Sequence, residues 1–426
     1  MIVQTDADAP GVVGSPTVLL RTRRAVPPAE TFARMASLMP IFGITRIADV
    51  TGLDRIGIPV AMAFRPNARS ISVSPGKGVD WASARTSALM EAIEGWHAER
   101  IIAPLLHASV NELRFERRLI DVAGLARRAS GELHDDLRLL WIEGRDLMGG
   151  GAVWIPFEVV HTDFSYPMHG ASGALVASSN GLASGNTATE ALNHALCEII
   201  ERDAVTLWFA LAPESRRDTL VDLGTIDDPA CQTVLARFES ADVATAVWDV
   251  TSDVGIPTFR CAILDAAPSP LRPHFPGIGA GCHPCREVAL LRALTEAAQT
   301  RLTLISGARD DLGAAQYLDA TDRGSYERLR GVMRPRGPGR SFRRAPTRNV
   351  TEGDGVEPAT GVRQQGWILD RLRAVGISEV AIVDLTKPRL KIPVVRAVVP
   401  GLEGISDAPG YCGGARYRRK LGESRQ

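Results

Sequence analysis

"ALCEIIERDA", residues 195–204, sets two carboxylates and a guanidinium on an otherwise apolar stretch. Glu198, Glu201 and Arg202 stand at i, i+3 and i+4, positions that share one face of an α-helix. Leu196, Ile199 and Ile200 beside them are apolar. A charged stripe on a helix that must also bury an apolar surface has two readings. One is a solvated ion pair, worth about 0.2–0.5 kcal/mol. The other is a site for a metal-bound nucleotide. One helix does not separate them.

The pattern recurs twice. In "SALMEAIEGW" (87–96), Ser87, Glu91 and Glu94 fall at i, i+4 and i+7, again one helical face. In "LRALTEAAQTR" (291–301), Arg292 and Glu296 fall at i, i+4, with Arg301 further along. Carboxylates that converge repel one another unless cations lie between them. Mg2+ is a hard cation that takes carboxylate and phosphate oxygens together. Arginine adds bidentate contacts to phosphate. Glu and Arg together on three mainly apolar helices therefore suit a Mg–triphosphate better than a sugar or a lipid.

Bulk properties narrow the field. The chain has 426 residues, 45% of them hydrophobic and 23% charged, so a full core is possible. Lys+Arg and Asp+Glu are both 49, which argues against a nucleic-acid coat or a membrane-surface protein. The opening "MIVQTDADAPGVVGSPTVLL" lacks the basic start and apolar core of a signal peptide. No run of about 18 apolar residues exists, so no membrane span is expected. Six cysteines in a chain this long are not a disulfide scaffold, and a reducing, cytoplasmic setting is the expectation.

Along the chain, residues 1–18 read as a flexible N-terminal tail, 19–410 as a single catalytic domain and 411–426 as a C-terminal tail. "PPAETFARMASLMPIFG" (27–43) reads as a helix capped by Thr31 and stopped by Gly43. "RIGIPVAMAFRP" and "SISVS" read as strands, and long helices are expected in "DWASARTSALMEAIEGWHAERIIA", over 187–211 and over 286–307. A weaker helix is expected around 119–128, then strands in "RLLWIEGRDL" and "GAVWIPFEVV". "VATAVWDVT" and "IPTFRCAILD" read as a strand pair. A helix around 364–375 precedes the strands "EVAIVDL" and "IPVVRAVVPGLEG". Residues 334–349 are a Pro/Gly/Arg loop, expected to be solvated and mobile despite Arg340, Arg343 and Arg344. Strands and helices mix without strict alternation, so the class is α+β.

Longer blocks carry a resemblance. "SVSPGKGVDWASARTSALMEAIEGWHAE", "SSNGLASGNTATEALNHALCEIIERDAVTLW" and "GIGAGCHPCREVALLRALTEAAQTRLTLISGARDD" resemble, in order, the signature blocks of the YcaO domain; "IPVVRAVVPGLEG" resembles its last block. The likeness runs from about residue 40 to 405. It implies an α+β ATP-binding fold with mixed sheets packed on long helices, and ATP and Mg2+ as cofactors. It also implies phosphorylation of a peptide-backbone amide oxygen, after which a nucleophile displaces phosphate. A Cys, Ser or Thr side chain gives an azoline; a sulfide donor gives a thioamide. Phosphate is a far better leaving group than an amide oxygen, so positioning and charge neutralisation would carry the catalysis.

Carried over by position, the resemblance makes Glu91, Glu94, Glu198, Glu201 and Glu296 metal ligands. It makes Ser87, Glu198, Arg202, Arg292 and Glu296 nucleotide contacts, with Glu91, Glu201, Arg202 and Arg292 the catalytic set. Asn186 in "SGNT" matches a nucleotide-contacting Asn. Arg24, in "RTRRAVPPAET", lies in a segment that can reach the nucleotide, and Lys77 of "PGKG" lies near the first block, where the plainer alternative is a solvated turn lysine. The chain ends in "YRRKLGESRQ" rather than a Pro-x-Pro-x-Pro tail, and Gly95 stands where many members have Arg. Together with "GITRIADVTGLDRIGIPV", this resembles the TfuA-associated, thioamide-forming subgroup. The expectation is sulfur insertion into a ribosomally made peptide or protein, with a TfuA-like partner, sulfide or a sulfur-donor protein, and a homodimer. The alternatives are an azoline-forming cyclodehydratase and a non-catalytic ATP-binding accessory protein for ribosomal-protein modification. Neither a membrane nor a nucleic-acid partner is expected.

Other signals carry less. "GIGAG" (277–281) lacks the full dinucleotide-loop spacing and follows prolines rather than a clear strand; "GKG" lacks the rest of a phosphate loop. "CHPC" (282–285) is one C-x2-C, and zinc needs four ligands. Cys412 could join it, but ordinary thiols are the simpler reading, and Cys197 reads as core. A sulfur-carrying role for Cys282, Cys285 or Cys412 is a further possibility the chemistry raises.

Overall fold

A strand that runs straight into a helix, with the helix folding back on to that strand, occurs three times. The structure, a computed structural model, describes residues 24–166, 171–267, 275–335, 337–348, 358–406 and 408–424, so the tail read over 1–18 lies outside the described residues. In chain order the main elements begin with α1 (Pro28–Ala36), β1 (Arg46–Asp49), β2 (Val60–Phe64), β3 (Val73–Lys77) and α2 (Trp81–Glu99). Then come β4 (Leu105–Ala108), β5 (Leu139–Asp146), β6 (Ala152–Pro156), β7 (Leu182–Ser184), α3 (Ala188–Phe209) and α4 (Pro229–Ser240). The rest are β8 (Val243–Asp249), β9 (Thr258–Asp265), β10 (Gly277–Cys282), α5 (Arg286–Ser306), α6 (Pro358–Ala374), β11 (Ala381–Asp384), β12 (Val394–Val398) and α7 (Ala415–Glu423).

β1–β2–β3 and β8–β9–β10 are antiparallel sheets; the largest sheet runs β4–β5–β11–β12–β7, with β6 paired to β5. This is the α+β class expected from the mixed pattern. The three strand–helix units are β3–α2, β7–α3 and β10–α5. Asp80 caps α2 by accepting from the Ser83 N–H, and Thr187 caps α3 by accepting from that of Glu190.

Glycine sets how closely each helix lies on its strand. A Cβ on Gly76 would sit 2.0 Å from the Ala88 nitrogen; one on Gly281 would sit 2.1 Å from the Ala289 carbonyl oxygen, and one on Gly279 2.4 Å from the Ala297 nitrogen. The alternate glycines of "GIGAG" therefore all face α5, and the segment is a strand after all, bare on the side the helix covers. Behind these units the core gathers around α2 and the large sheet, around α4, α5 and β9, and around α3, α6 and β12.

Several expectations change. The helix read over 27–43 ends at Ala36 and starts on Pro28, with Pro27 rather than Thr31 in the cap position; turns then lead to Gly43, whose φ is 68°. Residues 119–128 form no α-helix but a short turn at Val122–Gly124 and an edge strand at Arg127–Arg128. Within 334–349 the described residues are pinned: Arg340–Ser341 pairs with Val221–Asp222, and Phe342 is buried against Phe259. One aromatic outweighs the polar composition around it. The C-terminal segment read as a tail also docks, through the short strand Tyr411–Cys412 and α7. Among the described residues no helix is long and apolar enough to cross a membrane.

Candidate active site

One carboxylate from each of the three long helices is held by the backbone or side chain of a strand from another unit. Glu94 of α2 accepts from the Ser184 N–H (2.9 Å) and hydroxyl (2.7 Å) at the end of β7. Glu201 of α3 accepts from the Cys282 N–H (3.1 Å) at the end of β10. Glu296 of α5 pairs with Lys77 at the end of β3 and accepts from the Ala280 N–H at 3.2 Å. The joints close a ring: α2 to β7, α3 to β10, α5 to β3. Lys77 is therefore an ion-pair partner inside the ring rather than a solvated turn lysine.

Crowding shows in the acidities. Burial pushes the Glu91 carboxyl up to about 8, helped by Glu94 and Glu198 and opposed by Lys77 and Arg309. Burial likewise raises Glu94 to about 7, and Glu201 to about 7 despite Arg202, whose guanidinium lies 3.7 Å from it. Glu198 is raised by burial against the pull of Arg202, Arg396 and Arg292. Glu296 is the exception: burial raises it, but Lys77 and Arg202 outweigh that and hold it below the ordinary range. His194 is kept neutral by burial and by Arg292, Arg24 and Lys77.

The N-terminal segment reaches the same region. Arg24 donates to Glu190 (2.8 Å), whose other oxygen takes the Asn186 N–H (3.2 Å). The Asn186 side-chain oxygen accepts from Thr31 (3.0 Å) and Arg34 (2.5 Å) of α1. A cavity of about 280 Å3 opens there, lined by Thr31, Arg34, Met35, Met90, Asn186 and Lys391. Ser87 is half-buried one turn before Glu91 on α2. Every residue proposed from the sequence thus lies on the three units or on the segment docked against them. Sequence reasoning missed Glu190, His194, Arg309 and Arg396. Glu190 and His194 continue the Glu198 stripe backwards at i−8 and i−4, a signal available in the sequence.

These residues fit a metal-bound nucleotide. The Arg292 Nε is buried without a partner among the described residues, a donor that a phosphate oxygen would satisfy. Glu91, Glu94 and Glu201, raised by burial, bind protons that a divalent cation would displace. Among the described residues no three of His, Cys, Asp or Glu form a ready-made metal cage. "CHPC" is not a zinc site: Cys282 is buried beside Cys197, whereas the Cys285 thiol contacts Glu287 at 2.9 Å. All six cysteines are free.

A family model described as YcaO cyclodehydratase, ATP- and Mg2+-binding, matches residues 75–403. The chain belongs to the YcaO family. ATP and Mg2+ are accordingly its cofactors. Among similar proteins, an uncharacterized protein in the tfuA 3′ region of Rhizobium leguminosarum bv. trifolii is 38% identical, covering 89% of this chain and 88% of its own length. An uncharacterized protein of Methanothermobacter thermautotrophicus is 35% identical over 92% of this chain and 97% of its own. Among solved structures, YcaO from Methanopyrus kandleri bound with AMPPCP and Mg2+ matches with a TM-score of 0.67 at 22% identity, covering 89% of this chain and 92% of that one. A heterocyclase in complex with substrate and cofactor matches at 0.72 and 22% identity over 89% of this chain; this YcaO chain spans about half of the heterocyclase, 52%. Both structures share its fold.

Proposed function

We propose that this YcaO protein activates a peptide-backbone amide for sulfur insertion, giving a thioamide in a ribosomally made peptide or protein. The observation that carries the reading is the ring of carboxylates and arginines contributed by three helices. The relative in a tfuA 3′ region supports the thioamide outcome and a TfuA-like partner. Bound Mg–ATP supplies the phosphoryl group that makes the amide oxygen a leaving group. Glu91, Glu94, Glu198, Glu201 and Glu296 hold the metal; Ser87, Lys77, Arg202 and Arg292 hold the phosphates; Arg24 and Asn186 reach the rest of the nucleotide. Glu91, Glu201, Arg202 and Arg292 face the reacting atoms and neutralise the charge that develops there. Sulfide adds to the amide carbon, the carbon–oxygen bond breaks, and the oxygen departs with phosphate.

The sulfur comes from outside the site, as sulfide or from a donor protein. Burial pushes the Cys282 thiol well above its usual range, and burial with Glu287 raises that of Cys285, so neither is the thiolate a carrier requires. A homodimer in the cytoplasm completes the reading. The second reading, an azoline-forming cyclodehydratase, is favoured by the likeness to a heterocyclase. An accessory role without turnover is the third.

The test is phosphate release by the purified protein with Mg–ATP, a candidate peptide and the TfuA-like partner. Release should depend on the peptide and fall on the order of a hundredfold in Glu201→Gln, the scale on which metal-site partners act. With sulfide, the product should gain the mass difference between sulfur and oxygen. Loss of one water instead would establish the azoline reading, and ATP binding with no turnover on any peptide the accessory one.

A further inference from the structure

Arg396 is a lone charge in the apolar strand β12 and is 3% exposed. Its Nε donates to the Val159 carbonyl (3.0 Å) and one terminal nitrogen to that of Ser178 (2.6 Å). The other terminal nitrogen, Nη1, is buried and has no partner among the described residues. Burial pulls this guanidinium down to about 10, with Glu198 opposing. A buried donor left unmade costs about 1–3 kcal/mol, more on a charged group, so a fold that retains one usually has something to place on it. A second orphan lies close by. The Oδ1 of Asn180 is also buried without a partner, and Asn180 and Arg396 line the same cavity, about 70 Å3 in volume. Leu125, Val159, Val176 and Val398 supply apolar wall.

We propose that this cavity is a subsite for a backbone amide of the peptide substrate, an inference that rests on the peptide reading given above. A donor and an acceptor in one small cavity of mixed polarity, which Ser178 and Glu403 also line, complement a group carrying both C=O and N–H. A secondary amide is that group: its oxygen takes Nη1 of Arg396, and its N–H meets Oδ1 of Asn180. A small anion would satisfy the arginine and leave the asparagine oxygen unmet. The cavity lies near Glu198, whose charge acts on Arg396 in its wall. Ile199, in its wall, follows Glu198, and Asn180 precedes Gly181, whose backbone N–H serves Glu198. A peptide unit held here keeps its neighbour beside the activating groups.

The probe is N-acetylglycine N-methylamide, which offers peptide units without a side chain, read by ligand-observed NMR on the full-length protein. Asn180→Ala is the first variant, because it leaves both of the hydrogen bonds Arg396 makes to carbonyls in place. The wild type should bind the probe, and the variant about tenfold more weakly, the loss expected for one buried hydrogen bond. N,N-dimethylacetamide has no N–H, so its weak binding should be the same in both proteins. Arg396→Lys keeps the charge but not the fork and should weaken the probe as well. Wild-type affinity in Asn180→Ala overturns the subsite; so does a wild type that binds no probe, the result for a cavity that holds only water. If peptide-dependent phosphate release proceeds in Asn180→Ala with an unchanged KM, the subsite fails and the peptide reading stands. If the probe binds as expected but no peptide is turned over, the reading fails and the amide site stands.

Discussion

At the scale of single residues, the raised carboxyls make proton release part of nucleotide binding. Glu91, at about 8, and Glu94 and Glu201, both at about 7, are largely protonated at mildly acidic pH. Metal must displace those protons, so the Mg–nucleotide dissociation constant should fall as pH rises from about 6 to 8 and level off above that. Calorimetry in two buffers of different ionisation heat would count the protons released; none released would refute the assignment. Stability of the ligand-free protein should move the other way. A carboxyl bound more tightly to its proton in the native state contributes fully below its unfolded value, 4.5 for Glu91, and loses that contribution as pH rises toward about 8. The ligand-free melting temperature should therefore drop across that window, and Glu91→Gln should flatten the slope. Lys77→Met removes the ion-pair partner of Glu296 and should raise that carboxyl, weakening Mg–nucleotide binding most at the acid end.

At the scale of elements, the glycines of β10 and the helices they admit are one design. Gly281→Ala sets a methyl 2.1 Å from the Ala289 carbonyl oxygen, and neither backbone can yield cheaply. The expected cost is about 1–3 kcal/mol, measured by denaturant unfolding. Nucleotide affinity should fall with it, because the strand end that holds Glu201 moves. Gly366→Ala, on the exposed face of α6 with nothing within 4 Å, should stabilise by about 0.5–1 kcal/mol. These contrasts mark what the sequence could tell. The long helices and most strands were legible because apolar residues recur at the period of the element. So was the Glu/Arg stripe, since i, i+3 and i+4 spacing is local. Short elements were not: 119–128 has helical residues, but pairing at Arg127–Arg128 decides its form. "GIGAG" alone could not declare itself a strand, because its glycines are explained by a helix packed on it. Arg396 looked like one charge in an apolar run; its meaning depends on Val159, Ser178 and Asn180, which only the fold brings near.

At the scale of the molecule, the site is braced from behind. Arg416 of α7 grips Asp203 of α3 through two contacts of 2.9 Å and reaches Asp253 at 2.5 Å. Glu403 adds its backbone N–H to Asp203 and takes the N–H groups of Gly414 and Tyr417. Asp203 directly follows Arg202, so the C-terminal segment fixes the helix turn that carries Glu201 and Arg202. Arg416→Met leaves Asp203 buried and unpaired and should cost about 3–5 kcal/mol in chemical denaturation, whereas the double variant with Asp203→Leu should recover much of that. The ring of joints has a consequence for how the protein is made. A chain leaving the ribosome presents β3–α2 first, then β7–α3, and neither can complete the circle. Glu201 waits for Cys282, and Lys77 waits for Glu296. Nascent chains stalled before α5 should not retain ATP, and ones stalled beyond it and α7 should: the first part of the site to be synthesised is closed by one of the last.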